Sequence, residues 1–253
     1  MLSISSDRPM AERNGVYFVS DVHLGLKAGD PEERESRFVA FLKAMPRETT
    51  KAVYLLGDIW DFWYEYKYVI PKEGMRVISE LIQLIDAGVE VYFFEGNHDM
   101  WAYSFFEQIG VRKLPQPSVL KLGDKVFCAG HGDALGGAHL SYRLMRKVFH
   151  SRTARALFSS LHPTLAFGMG RGWSESNRRS HKSYRFRGKE EPLYKFAVKK
   201  AAQEHIDCFV FGHFHDKVDL VLPGGERFCV LKDWMEGGTP HLYFDCKEGS
   251  IVF

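Results

Sequence analysis

Five apolar runs recur along the chain: VYFVS (16–20), AVYLL (52–56), VEVYFF (89–94), KVFCAG (125–130) and CFVFG (208–212). Each is short and rich in β-branched and aromatic residues, and each predicts a buried strand. Between the early runs the period changes to that of a helix. Phe38, Phe41, Leu42 and Met45 fall at i, i+3, i+4 and i+7, and Ile78, Leu81, Ile82 and Ile85 repeat the spacing before Gly88 ends the segment. Strands alternating with helices predict an α/β sheet. Beyond residue 216 the pattern becomes KVDLVL, RFCVL, HLYFDC and SIVF separated by Gly-rich turns, which predicts a tail of antiparallel strands.

Residues from about 137 to 190 interrupt the alternation. LSYRLMRKVF and TARALFSSL have helical spacing, Pro163 and several glycines are expected to break the stretch, and SESNRRSHKSYRFRGK is polar and basic. An insertion at 139–189, a helical basic cap, is therefore expected within a core made of 1–138 and 190–253. A helix opening at Pro192 leads back into the 208–212 strand.

Charge sharpens this division. The formal net charge is only +2, yet residues 139–189 carry twelve Lys or Arg against one acid, Glu175. Such a block suits an anionic ligand or membrane surface, the alternative being a solvated basic face. The start, MLSISSDRPMAERNG, lacks the basic flank and apolar core of a leader, and no apolar run is long enough to cross a bilayer. Cys128, Cys208, Cys229 and Cys246 have no paired spacing. A reducing cytoplasm is the expected location.

Candidate chemistry follows each predicted strand. The motifs are SDVHLG, GDIWDFW, EGNHDMW, GHGD and GHFHD, in that order. Carboxyl ends of strands are where sites assemble in open α/β sheets, so the five segments can converge. In GHFHD, His213 and His215 would point to one spot if the strand carried through them. Asp, His and Asn without cysteine form a donor set for Mn, Fe, Zn or Mg. Taken singly, each residue could also be an ordinary turn or loop residue.

The ordered set resembles the calcineurin-like metallophosphoesterase superfamily from Asp21 to Asp216. That resemblance implies an αββα sandwich core and two divalent ions, Mn foremost. It implies Asp21, His23, Asp58 and His215 around one ion and Asp58, Asn97, His131 and His213 around the other, with Asp58 bridging. Two such ions activate a shared water and clamp phosphoryl oxygens. His98 matches the superfamily histidine that steadies the phosphoryl group or protonates the leaving group. Asp99 is expected to orient its ring, or else to cap a helix over MWAYSFFEQI, and Asp61 is a candidate supporting carboxylate.

Within the superfamily, GDIWDFWYE, HGDALGGAHLSYRLMRK and the basic insertion resemble the UDP-2,3-diacylglucosamine diphosphatases of lipid A biosynthesis. The resemblance implies cleavage of a UDP-linked diacylglucosamine lipid to UMP and 2,3-diacylglucosamine 1-phosphate, by an enzyme peripheral to the inner membrane. Tyr142 matches a substrate-contacting tyrosine, and Ser176, Asn177, Arg178, Arg179, His181 and Lys182 are candidate pyrophosphate or sugar contacts. Apolar cap residues such as Leu144, Phe149, Phe158 and Trp173 could cover acyl chains, or could only pack the cap onto the core. The family carries arginine where this chain has His98, and aspartate where it has His139. The alternatives are a phosphoesterase for another nucleotide, lipid diphosphate or nucleic acid, and a noncatalytic scaffold. Aromatics set among aliphatic residues suit lipid better than stacked bases, so no nucleic-acid partner is expected.

Overall fold

The computed structural model describes residues 12–133, 135–137, 140–180 and 185–253, with the side chains of 140–143 and 176–180 outside that description. The first half runs β1 (Gly15–Val19), α1 (Pro31–Ala44), β2 (Thr50–Leu55), α2 (Met75–Asp86), β3 (Glu90–Phe94), α3 (Phe105–Gln108), β4 (Arg112–Leu114), β5 (Ser118–Leu122) and β6 (Lys125–Gly130). The second half runs α4 (Leu140–Phe149), α5 (Arg152–Ser159), α6 (Pro163–Ser180), α7 (Pro192–Ala201), β7 (Cys208–Phe211), β8 (Val218–Val221), β9 (Arg227–Val230), β10 (Leu242–Asp245) and β11 (Ile251–Val252).

Two sheets form, one in the order β11-β10-β1-β2-β3-β4 and the other β5-β6-β7-β9-β8. The two-residue period of a strand makes four layers from them. Val53, Leu55, Val91 and Phe93 face α1 and α2, where they meet Phe38, Leu42, Leu81 and Leu84. Their neighbours Ala52, Tyr54 and Phe94 face the second sheet, packing with Phe127, Ala129, Cys208 and Val210. On the far side Cys128, Phe209 and Phe211 meet Leu193, Tyr194 and Ala197 of α7. Strands apolar on both faces are what a sheet covered on both sides requires. The arrangement is the expected α/β fold with helices outside paired sheets.

Parallel registers hold β1-β2-β3-β4 and β6-β7-β9, so β1, β2 and β3 end together, as do β6, β7 and β9. The tail is less uniform than its pattern predicts. Only β8 against β9 and β10 against β11 and β1 are antiparallel, whereas β9 joins β7 in parallel. β4 and β5 are also present although no apolar run announces them. β4 has three residues, and β5 alternates in burial.

Helix ends obey local chemistry. Asp30 caps α1 by accepting the N–H groups of Glu32 and Glu33, with Pro31 in the first turn. Pro163 does not break the cap stretch but opens α6, which continues through Gly168, Gly170 and Gly172. One of these glycines permits close packing: a Cβ at Gly170 would collide with the Phe62 ring, whereas one at Gly168 would meet nothing. Gly168→Ala should therefore stabilise the helix by up to about 1 kcal/mol. Gly170→Ala should destabilise it despite the same propensity gain, because overpacking costs about 1–3 kcal/mol. Opposite shifts in urea midpoint and in proteolysis of α6 would check this; shifts of one sign would contradict it.

The three helices α4, α5 and α6 fall within the segment expected as an insertion and seat on core aromatics. Tyr64 Oη donates to the Arg155 carbonyl (3.0 Å), Tyr66 Oη to that of Leu161 (3.2 Å) and Trp101 Nε1 to that of Phe149 (3.2 Å). Arg146 pairs with Asp133, and Arg171 with Glu73.

Candidate metal centre

Five non-glycine residues have positive φ among the described residues: Asp21 (53°), His23 (51°), Asp58 (53°), His213 (75°) and His215 (57°). All five belong to the expected ligand set. Left-handed backbone is costly for residues with a Cβ, and its concentration here marks a site where geometry is imposed by the surroundings. Glycines make room for it: a Cβ at Gly96 would collide with the Asp58 carboxylate, and one at Gly212 with that of Asp21.

The geometry corrects the simplest view of the HFH pair. β7 ends at Phe211, so His213 and His215 do not share a strand face. They separate instead into two triads, Asp21, His23 and His215 in one and Asp58, His131 and His213 in the other. Asp21 Oδ1 lies 3.3 Å from His215 Nε2 and 3.8 Å from His23 Nε2. Asp58 Oδ2 lies 3.3 Å from His131 Nε2, and Asn97 Oδ1 is 3.2 Å from the same nitrogen. Asp58 falls within the second triad. Its expected membership of both is a further step.

Orientation comes from neighbouring groups. His131 Nδ1 faces the Leu56 carbonyl at 2.9 Å, which turns Nε2 into the triad. His215 Nδ1 meets Asp233 Oδ2 at 2.9 Å, and His23 Nδ1 meets Asp61 Oδ1 at 3.3 Å. Asp61 thus supports His23, and its Oδ2 also accepts the Ser174 hydroxyl from α6 at 2.9 Å.

Charge follows from burial and proximity. Burial works to raise Asp21 and Asp58, but His215 and His23 beside the first, and His131, His98 and His23 beside the second, hold both well below the usual carboxylate range. Burial would lower His131, yet Asp58 and then Asp21 raise it to about 10. His215 is likewise opposed by burial but raised to about 10 by Asp21 and Asp233. Burial and the His131 charge bring His213 down to about 4.

With only protons present, the Asp21 and Asp58 carboxylates favour the charged forms of His215 and His131. The donors suit a divalent cation in the same place: buried carboxylates, imidazoles turned inward by their second nitrogens, and Asp21 Oδ1, which accepts no hydrogen bond.

His98 lies at the edge of this centre, in a third group with His23 and Asp61. Its Nδ1 lies 2.8 Å from the Asp61 carbonyl, where it donates, and its Nε2 is 4.0 Å from Asp58 Oδ2. The Asp99 expectation is corrected. That carboxylate makes no bond to the His98 ring and caps no helix, since α3 begins at Phe105. It accepts the N–H groups of Gly96 (2.8 Å), Asp58 (3.2 Å) and Ile59 (2.8 Å), tying together the two loops that bear Asp58 and Asn97. Burial and the Asp58 charge push its pKa up to about 8.

Tyr142 lies on α4 and Ser176, Asn177, Arg178 and Arg179 on α6, with side chains outside the described residues; His139, His181 and Lys182 fall outside them altogether. Sequence patterns overlooked Asp133, Asp233, Ser174 and Gln116. Gln116 Oε1 accepts the N–H groups of His131 and Gly132 at 2.9 and 3.2 Å. Asp133 and Asp233 carry the same signal as the ligands, a carboxylate just past a strand.

An apolar cavity of about 330 Å³ opens between the core and the helices α4–α6. Phe62 and Trp101 line it from the core, Phe149, Phe158 and Trp173 from the helices. Phe62 adjoins Asp61, and Trp173 adjoins Ser174.

Residues 15–217 match the calcineurin-like phosphoesterase family. The chain is 33% identical over 240 residues to a UDP-2,3-diacylglucosamine hydrolase of Porphyromonas gingivalis, covering 88% of this chain and 91% of that one. It is 29% identical over 234 residues to a protein of the same name from Stenotrophomonas maltophilia, covering 88% and 92%. A dimetal phosphatase from Danio rerio aligns over 92% of this chain and 93% of its own, with 12% identity and a TM-score of 0.49.

Proposed function

The chain belongs to the calcineurin-like phosphoesterase family, and from that premise we propose that it hydrolyses the pyrophosphate of UDP-2,3-diacylglucosamine, releasing UMP and 2,3-diacylglucosamine 1-phosphate. The observation that carries this reading is the apolar cavity whose lining residues Phe62 and Trp173 adjoin Asp61 and Ser174, the pair that supports His23 of the first triad. A phosphoanhydride needs the polar centre, and two acyl chains need an apolar wall within reach of it.

Asp21, His23, Asp58 and His215 would hold one divalent ion, and Asp58, Asn97, His131 and His213 the other. When bound, these ions, Mn foremost by the family resemblance and Fe, Zn or Mg also compatible with carboxylate, amide and imidazole donors, would supply Lewis-acid polarisation of the phosphoryl group and activation of the attacking water. His98 would act on the reacting group itself. With Nδ1 engaged by the Asp61 carbonyl, its Nε2 is directed to the Asp58 side, where it can steady a phosphoryl oxygen or protonate the leaving one. Asp99 would act indirectly, by fixing the backbone of the Asp58 and Asn97 loops. Residues 139–189 would form the cap over the lipid, with Tyr142, Ser176, Asn177, Arg178, Arg179, His181 and Lys182 as its polar contacts to the head group.

The cavity aromatics favour lipid over nucleic acid, because Phe149, Phe158 and Trp173 turn inward instead of forming an open stacking surface. Exposed Leu144, Leu157, Leu165 and Met169 on the same helices, together with the local excess of cations, support peripheral contact with the inner membrane from the cytoplasmic side.

Trp173→Ala tests the reading. Burial of a large apolar side chain contributes about 1.5–3 kcal/mol, so kcat/KM on the diacyl substrate should fall roughly 10- to 100-fold. Hydrolysis of bis-p-nitrophenyl phosphate, which has no acyl chains, should stay near the parent rate. An equal loss on both substrates would assign Trp173 to packing alone and remove the support the cavity lends.

A further inference from the structure

Arg34 is 2% exposed, among the largest fully buried side chains of the described residues, and it lies on α1, which carries none of the triad side chains. Three of its guanidinium's hydrogen bonds go to backbone carbonyls. Nη2 donates to the His23 carbonyl at 3.1 Å and to that of Leu26, while Nη1 donates to the Ala28 carbonyl at 3.0 Å and to Met235 Sδ at 3.4 Å. One turn on, Arg37 donates to the Trp234 carbonyl. Trp234 N–H in turn donates to the Asp21 carbonyl at 3.1 Å, and Asp233 holds His215 Nδ1 at 2.9 Å.

All three members of the first triad are thus tied to one support, built from α1 and residues 233–235. The second triad shares backbone bonds with the first, Asp21 N–H to the Gly57 carbonyl at 3.1 Å and His23 N–H to the Asp58 carbonyl at 3.0 Å, but its side chains are held by other elements. Asp58 N–H goes to Asp99, His131 Nδ1 faces Leu56, and the His131 N–H goes to Gln116. Among the described residues none of those contacts comes from α1 or from 233–235. His23 also needs outside help: its φ of 51° is one that a side-chain-bearing residue holds only when its carbonyl and its neighbours' are fixed. Arginine fits that task because its rigid fork can reach several carbonyls at once, which a lysine ammonium cannot do in the same geometry.

We propose that Arg34 is a positioning residue chiefly for one ion site: through the backbone of His23 to Ala28 and the loop at Met235, it holds Asp21, His23 and His215 ready for a divalent cation, whereas it reaches the Asp58 triad only indirectly, through the His23 N–H on the Asp58 carbonyl. The inference rests on the two-ion reading above. It makes the two sites separable, with one of them tuned from α1.

The test is Mn²⁺ binding to metal-stripped protein, followed by the electron paramagnetic resonance signal of free Mn²⁺. Arg34→Lys should weaken one of two ions by about 10- to 100-fold, the usual effect of removing a ligand's outer support, and leave the other at its parent affinity. In a His213→Ala background the Arg34→Lys change should weaken the remaining ion; in a His23→Ala background it should not. Asp233→Asn, which leaves α1 intact, should reproduce the one-site loss and carries the test if Arg34→Lys fails to fold. Parent-like binding of both ions in these variants, or equal weakening of both, overturns the inference. Fewer than two ions in the parent protein would instead overturn the two-ion reading, and Arg34 would then stand or fall on whether the remaining ion weakens.

Discussion

An Asp58→Ala protein is expected to hydrolyse no phosphoester above background and to retain at most one ion per chain. The carboxylate has several simultaneous duties. Oδ2 faces His131 Nε2 at 3.3 Å, Oδ1 accepts the His98 N–H at 2.8 Å, and the Asp58 N–H is held by Asp99. Its removal takes the only carboxylate from the second triad and frees the loop that carries Asn97 and His98.

The metal-free protein should also become less stable, because removing one partner of a buried pair costs about 3–5 kcal/mol. The pH dependence has a definite sign. Asp58 is depressed in the folded state, so its contribution is present above the ordinary carboxylate pKa of about 4 and is lost as pH falls. His131 is raised to about 10, so its contribution is complete below the unfolded value of about 6.5 and fades as pH rises through 10. The stability gap between metal-free parent and variant should therefore be widest near pH 4–6.5 and narrow towards 10. Denaturant titrations across that range would measure it, and a gap that widened with alkali would contradict the assignment.

His98→Ala should leave both ions in place and lower kcat by about 10²- to 10⁴-fold, the range for loss of a positioned proton donor. The reason is placement. The His98 ring stands beside the triads, with one nitrogen engaged by the Asp61 carbonyl and the other facing the site. Metal analysis of the purified variant separates this role from ligation. If one ion disappears with the ring, the group His23, Asp61 and His98 binds metal, and the catalytic assignment fails.

The same geometry explains what was legible in the sequence. The donor residues stood out because each follows an apolar run, and parallel strands in two sheets bring those run ends together. The strands themselves were readable because burial on both faces leaves continuous apolar stretches such as CFVF and AVYL. What stayed hidden depends on distance in three dimensions. His213 and His215 diverge because the chain leaves β7 at Phe211 and turns through positive φ twice, which an HFH spelling does not reveal. Asp99 adjoins His98 in sequence, yet its oxygens turn to four backbone N–H groups, an arrangement decided by the approach of the Asp58 loop. β9 and β10 have similar patterns but join different sheets, since only long-range register distinguishes them. In α6 the glycines of GMGRG suggested a break, whereas Gly170 is where the helix needs no side chain to lie against Phe62.

The most direct test of the account is the release of UMP from UDP-2,3-diacylglucosamine by the purified chain, stripped of metal and then supplied with Mn²⁺. The account predicts no UMP before metal is added, UMP and 2,3-diacylglucosamine 1-phosphate in equal amounts afterwards, and neither product from Asp58→Ala under the same conditions. Metal-loaded protein that hydrolyses bis-p-nitrophenyl phosphate but leaves the lipid intact would contradict the substrate. UMP release undiminished by metal removal would contradict the centre itself.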